Sequence, residues 1–134
     1  MLPYRQSTNK YGNKWTPCGQ FGLKCKGKHQ SKGEAAYCNQ LSLLERAGKL
    51  TYTTQVRYAL VVKNFVICYH ILDFEVDWKD GRGREVHDVK GAQTADWKLK
   101  YKLFRALYPK IPYILIHRNK IMTAGLPPMK KEKK

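Results

Sequence analysis

Acidic residues are scarce in this 134-residue chain: ten Asp and Glu stand against 26 Lys and Arg, leaving a formal charge of +16 and a pI near 9.8. Self-repulsion on that scale works against compactness, so a polyanionic partner is the natural explanation. Nucleic acid is the first candidate and an anionic membrane surface the second. Long apolar runs are also missing. The longest, Phe65–Leu72, is interrupted by Tyr69 and His70 and is far too short for a membrane-spanning helix. The first ten residues, MLPYRQSTNK, lack the apolar segment of a secretory signal. A cytoplasmic protein is therefore expected, with its four cysteines reduced. No CxxC pair occurs among Cys18, Cys25, Cys38 and Cys68. Cys18, Cys25 and His29 could hold zinc with a fourth ligand, but their spacing matches no common template, and ordinary thiols are the expectation.

What is present is a globular composition, 43% hydrophobic and 12% aromatic, at the length of one domain. Residues 1–30, rich in Gly and Lys, read as a basic arm or short hairpin, residues 31–120 as the core domain, and residues 121–134 as a disordered basic tail. Within the core, Ser31 followed by Glu34 is a capping-box signature opening a helix over 31–47, with Gly48 as its C-terminal cap. Strands are expected over 55–62, 65–78 and 84–90, from their Val, Ile, Tyr and Phe content. A second helix over 94–108 carries an apolar stripe of Trp97, Tyr101, Phe104 and Tyr108. Lys98, Lys102 and Arg105 form a basic stripe beside it. A last strand covers 113–117. The order helix, three strands, helix, strand defines an α/β or α+β domain around one mixed sheet.

The pair Asp80-Gly81 is a hairpin signal between the second and third strands. A two-residue turn there places Asp73 directly opposite Asp88, and alternation puts Lys90 on the same face as Asp88. A longer turn shifts the register by two and sets Asp73 against Lys90 instead. Like charges opposite each other destabilise a sheet unless something neutralises them. A divalent cation would do so, since Mg²⁺ takes one or two carboxylates along with water and substrate phosphate. Glu75 and Asp77 share Asp73's face under strict alternation and are alternative ligands. His70 and His87 fall on the opposite face and read as structural or surface histidines.

An Asp on one strand followed by (Asp/Glu)-x-Lys on the next resembles the PD-(D/E)xK nuclease superfamily. Here the elements are Asp73 and then Asp88-Val89-Lys90, with Leu72 where the superfamily's name has Pro. The stretches SKGEAAY, LDFEVDW, HDVKGAQT and KLKYKLFRALYP are similar to a phage and prophage group of these nucleases, from about residue 28 to 117. The resemblance implies a restriction-endonuclease-like core that hydrolyses DNA phosphodiester bonds with Mg²⁺, Mn²⁺ being a substitute. Asp73 and Asp88, with the carbonyl of Val89, would hold the metal. Lys90 would orient the attacking water or stabilise charge on the phosphate, and Glu34 would supply a further acid from the first helix. Lys98, Lys102 and Arg105 would contact the DNA backbone without reading sequence. Small basic domains of this fold often act as dimers on Holliday junctions, where a twofold axis relates two active sites. A non-catalytic nucleic-acid-binding module that retains the fold is the alternative.

Overall fold

The computed structural model describes residues 16–17, 28–29, 31–118, 120–122 and 126–133. Two short strands, β1 (Thr16–Pro17) and β2 (Lys28–His29), pair antiparallel, within the region expected as an arm or hairpin. Cys18 and Cys25 lie outside the described residues. Helix α1 (Lys32–Arg46) begins where Ser31 Oγ accepts the Glu34 amide at 3.1 Å. It ends in a Schellman motif: the Gly48 and Lys49 amides donate to the Glu45 and Leu44 carbonyls, with Gly48 at φ 74°.

The main sheet runs β3 (Leu50–Val62), β4 (Phe65–Trp78), β5 (Gly83–Val89), β6 (Tyr113–His117) and β7 (Lys120–Met122), in that spatial order. All neighbours are antiparallel except β5 and β6, which α2 (Ala95–Leu107) connects. This is the expected α+β order with one strand added: β7 forms beyond the last expected strand and places Ile121 and Met122 in the sheet. Leu126, in the segment assigned to the basic tail, packs against the core, while Lys130, Lys131 and Lys133 of that segment are exposed.

Two clusters fill the interior. Tyr37, Cys38 and Leu41 of α1 pack with Leu50, Tyr52, Phe74, Val76 and Ile116. Trp97, Tyr101 and Phe104 of α2 pack with Leu60, Leu72, Val86, Tyr113 and Leu115. In β5 and β6 neighbouring residues divide between the helices, as alternation requires. In β4 they do not: Phe74 and Val76 pack with α1, while Leu72, on the same alternate positions, packs with α2. The change falls at Asp73. The β3–β4 pairing skips from Thr54↔Phe74 to Val56↔Leu72, and Gln55, opposite Asp73, has φ 53°. A residue in the left-handed region turns the strand over locally, and the side chain at that point leaves the alternating rows. Residues 50–54, left out of the expected strand, extend β3 on the far side of this irregularity.

Gly48 offers a direct check on the helix that carries Glu34. An added Cβ meets nothing within 4 Å there, so the cost of Gly48→Ala is conformational, about 1 kcal/mol. Chemical denaturation should show that loss with an unchanged denaturant slope.

Candidate active site

The β4–β5 register is the one that sets Asp73 against Asp88. Trp78 pairs with Gly83 and Phe74 with His87, although the connection is longer than two residues. Asp80 braces it by accepting from the Arg82 amide at 3.1 Å and from Arg82 Nε at 2.8 Å. Regular pairing ends at Phe74↔His87. One step further, Asp73 Oδ2 accepts the Val89 amide at 2.8 Å, so a carboxylate replaces a backbone carbonyl in the ladder. Burial, the charge of Asp88 and a hydrogen bond with Asp88 hold the Asp73 carboxyl well above the usual carboxylate range, with Glu34 adding to the push. The two carboxylates therefore compete for ionisation in the absence of a cation.

Asp88 is buried, at 1% exposure. Its Oδ2 accepts from Trp97 Nε1 and from Tyr113 Oη, both at 2.7 Å, and Lys90 Nζ lies 3.9 Å away. Burial and the adjoining Asp88 raise the Tyr113 phenol far above its ordinary value, so it remains a donor. With its proton given to Asp88, Tyr113 Oη can only accept from His70 Nε2, 2.9 Å away, which assigns His70 the Nε2–H tautomer. Burial pulls the His70 pKa down to about 4, the charges of Lys100 and Lys90 adding to that effect, so the ring is neutral. The chain His70, Tyr113, Asp88 with Trp97 fixes one carboxylate oxygen by hydrogen bonds from α2 and β6.

Lys90 is held by its backbone: its amide donates to the Ile116 carbonyl at 2.9 Å, and its carbonyl accepts from His117 Nδ1 at 2.9 Å, for the tautomer protonated there. Helix α1 approaches from the other side. A Cβ on Gly33 would meet Val89 Cγ1 at 3.2 Å, so the close approach that Gly33 permits is to Val89, between Asp88 and Lys90. Glu34 is buried, at 8% exposure. Its Oε2 has no hydrogen-bond partner among the described residues and lies 3.8 Å from His29 Nδ1. Only Ser31's half of the capping box is made.

The structure thus brings Asp73, Asp88, Val89 and Lys90 together, with Glu34 close enough to act on Asp73 by charge. Among the described residues no three of His, Cys, Asp and Glu are gathered tightly enough to hold one ion. Glu75 and Asp77 are engaged elsewhere: Arg84 Nε lies 3.3 and 3.6 Å from their carboxylates, and Tyr58 donates to Glu75. His87 is buried between Tyr37 and Glu85, and burial lowers its pKa. Lys98 and Lys102 are exposed, and Lys102 lines a groove with Leu99, Leu103 and Pro128. Arg105 is half-buried, donating to Tyr101 Oη at 2.8 Å. Lys100, outside the basic stripe expected on α2, acts by charge on His70. Sequence reasoning read Trp97 as packing alone, although a buried indole N–H needs an acceptor.

Fold and site together define an α+β domain with a coupled carboxylate pair and a lysine at one sheet junction. The chain belongs to the DUF1064 family, described as a protein of unknown function, whose model matches residues 23–123. No curated protein and no solved structure matches it. Among the described residues no helix is long and apolar enough to cross a membrane.

Asp73→Asn keeps an acceptor for the Val89 amide and removes one of the two like charges. Because the folded-state pKa of Asp73 is raised, wild-type stability falls as pH rises through it. The variant should therefore exceed metal-free wild type in thermal stability near neutral pH, on the order of 1 kcal/mol. The gain should shrink as pH falls below the raised Asp73 pKa and vanish below the ordinary carboxylate range, where Asp73 is protonated in the unfolded chain as well. A lower midpoint at every pH would mean that the carboxylates do not repel.

Proposed function

We propose that this chain is a metal-dependent DNA nuclease, and the observation that carries the reading is the opposed Asp73–Asp88 pair with Lys90 beside it. Two carboxylates set together on a chain of charge +16 are costly to a protein that only binds a polyanion. They suit a small hard cation, which takes one or two carboxylates and keeps its remaining positions for water and phosphate. Asp73, Asp88 and the Val89 carbonyl would hold Mg²⁺, or Mn²⁺ in its place. Glu34 Oε2, buried and without a hydrogen-bond partner among the described residues, fits the same reading, since a buried carboxylate oxygen without a donor is costly unless a cation or its water meets it. When bound, such an ion supplies positive charge at the phosphoryl group and lowers the pKa of a bound water.

The chain's own residues supply the rest. Trp97 and Tyr113 hold one Asp88 oxygen, so the carboxylate keeps its orientation whether or not a cation is present. Asp73 is pinned by the Val89 amide. Lys90 donates toward the reacting phosphate, orienting water or stabilising the charge that develops there. Lys98, Lys102, Arg105 and the tail lysines contact the DNA backbone, giving affinity without sequence readout. The substrate is branched DNA such as a Holliday junction, cut by a homodimer in phage recombination, repair or genome processing, in the cytoplasm of the cell that holds that DNA.

Supercoiled plasmid incubated with Mg²⁺ and with EDTA tests the reading. Cleavage should require the cation, and Asp88→Asn and Lys90→Ala should each abolish it while gel-shift affinity for DNA stays near wild type, because affinity comes from distributed charge. Near-normal nicking by either variant removes this active site. DNA binding without any cleavage leaves the non-catalytic binding module.

Glu34 is separable from its neighbour in the cap. Glu34→Gln should retain the thermal midpoint and lose most Mg²⁺-dependent cleavage. Ser31→Ala should lose about 1 kcal/mol of stability and keep its activity. A fully active Glu34→Gln enzyme would leave the metal to Asp73 and Asp88 alone.

A further inference from the structure

Strand β6 ends beside Lys90, and the way it ends brings in a residue to which the proposed site gives no role. In a parallel ladder, a residue's amide and carbonyl bond to the two residues flanking its partner. Lys90 keeps the first of these bonds, from its amide to the Ile116 carbonyl at 2.9 Å. The second would come from the Arg118 amide, but Arg118 has φ 50° and turns the chain back into the antiparallel pairing of β6 with β7. The side chain of His117 takes that place, with Nδ1 2.9 Å from the Lys90 carbonyl oxygen. A carbonyl oxygen only accepts, so Nδ1 carries the proton and the neutral ring has its lone pair on Nε2. Among the described residues Nε2 has no hydrogen-bond partner.

Alternation puts His117 on the face of Asp88 and Lys90. Val89 and Ile116 pair and both pack on the α1 side, so the next residue of each strand turns to the other side. Tyr113 and Leu115 precede His117 in that row. Lys120, exposed, pairs with His117 from β7, so Lys90 and Lys120 are its charged neighbours. The ring itself is half-buried: fixed by the Lys90 carbonyl, yet open to solvent.

We infer that His117 is the general base of this site, a role that rests on the nuclease reading and that the reading leaves unfilled. Hydrolysis needs a group to take the proton of the attacking water. Lys90, as an ammonium, has donors only. Asp73 and Asp88 would give up, on taking a proton, the charge by which they hold a cation. Glu34 adds its charge to the same centre and would lose it in the same way. Nε2 of His117 is a lone pair beside the lysine that serves the phosphate. In the step, the water oxygen bonds to phosphorus while its proton passes to Nε2. The opposite P–O ester bond breaks, and its electron pair leaves with the ester oxygen, which takes a proton from solvent. His117 then gives its proton to solvent, and the ring returns to its starting tautomer because the Lys90 carbonyl still holds Nδ1–H.

A histidine that only clamps Lys90 needs Nδ1–H, whereas a base needs Nε2, and two substitutions separate these roles. Asparagine carries its amide nitrogen where histidine carries Nδ1, so His117→Asn keeps a donor to the Lys90 carbonyl and removes the base. His117→Gln carries its amide nitrogen where the ring has Nε2 and removes the base a second way. Single-turnover cleavage of supercoiled plasmid with Mg²⁺ tests the role, with gel-shift affinity, Mg²⁺ titration and thermal midpoints measured on the same preparations. His117→Asn should keep the wild-type midpoint, Mg²⁺ affinity and DNA affinity, and cut at least about 100-fold more slowly. His117→Gln should be as slow. Near-normal cutting by either variant overturns the inference, and by His117→Asn in particular reduces the histidine to a clamp. Slow cutting that follows weakened Mg²⁺ or DNA binding overturns it as well. Wild type that does not cut removes the nuclease reading and, with it, the reaction this base serves; active wild type with an active His117→Asn fails the inference alone.

Discussion

Two carboxylates placed side by side on adjacent strands repel, and the arrangement around Asp73 and Asp88 is built to hold them there. Asp88 is kept by donors on both sides, Trp97 from α2 and Tyr113 from β6, while Asp73 is kept by the Val89 amide. The consequence reaches through the fold. Tyr113, its proton given to Asp88, accepts from His70, a ring that burial keeps neutral. Asp73 needs to leave the regular rows, and Gln55 in the left-handed region lets it. A pair so carefully retained, with one member pushed toward protonation, stores electrostatic energy that a bound cation would release, as expected where structure yields stability to function.

Helix α1 bears on the same point from the opposite direction. Gly33 admits Val89 at a distance that a Cβ would crowd, bringing the start of the helix against the residue between Asp88 and Lys90. Glu34 then enters buried, with Oε2 lacking a hydrogen-bond partner among the described residues, and adds its charge to that felt by Asp73. Glu34, Asp73 and Asp88 thus come from α1, β4 and β5, with Lys90 just past β5, but Glu34 acts on Asp73 by charge without closing a three-acid cluster.

Much of this was legible in the sequence because it depends on short-range rules. The Asp80-Gly81 turn and strand alternation gave the register, even with a longer connection, because Trp78↔Gly83 preserves the pairing that a two-residue turn would set. Ser31 and Gly48 marked the ends of α1. What stayed hidden depends on tertiary contact. Alternation put Asp73, Glu75 and Asp77 on one face, but the irregularity opposite Gln55 takes Asp73 out of that row, and no propensity signals a positive φ at a glutamine. Trp97 and Tyr113 are separated by a helix and a loop, so their convergence on Asp88 has no sequence spacing to reveal it. Strand β7 is three residues long, below the length at which a pattern can form, and exists because the edge of β6 was open to pairing.

The central claim is that Asp73 and Asp88 form a cation site. Isothermal titration of Mg²⁺, and of Mn²⁺ in parallel, into metal-free protein without DNA measures it most directly. The account predicts saturable binding in wild type, competition from protons as the pH is lowered, and loss of binding in Asp88→Asn with the fold intact by circular dichroism. Equal binding by wild type and Asp88→Asn, or no binding of either ion by wild type across the neutral range, would contradict it.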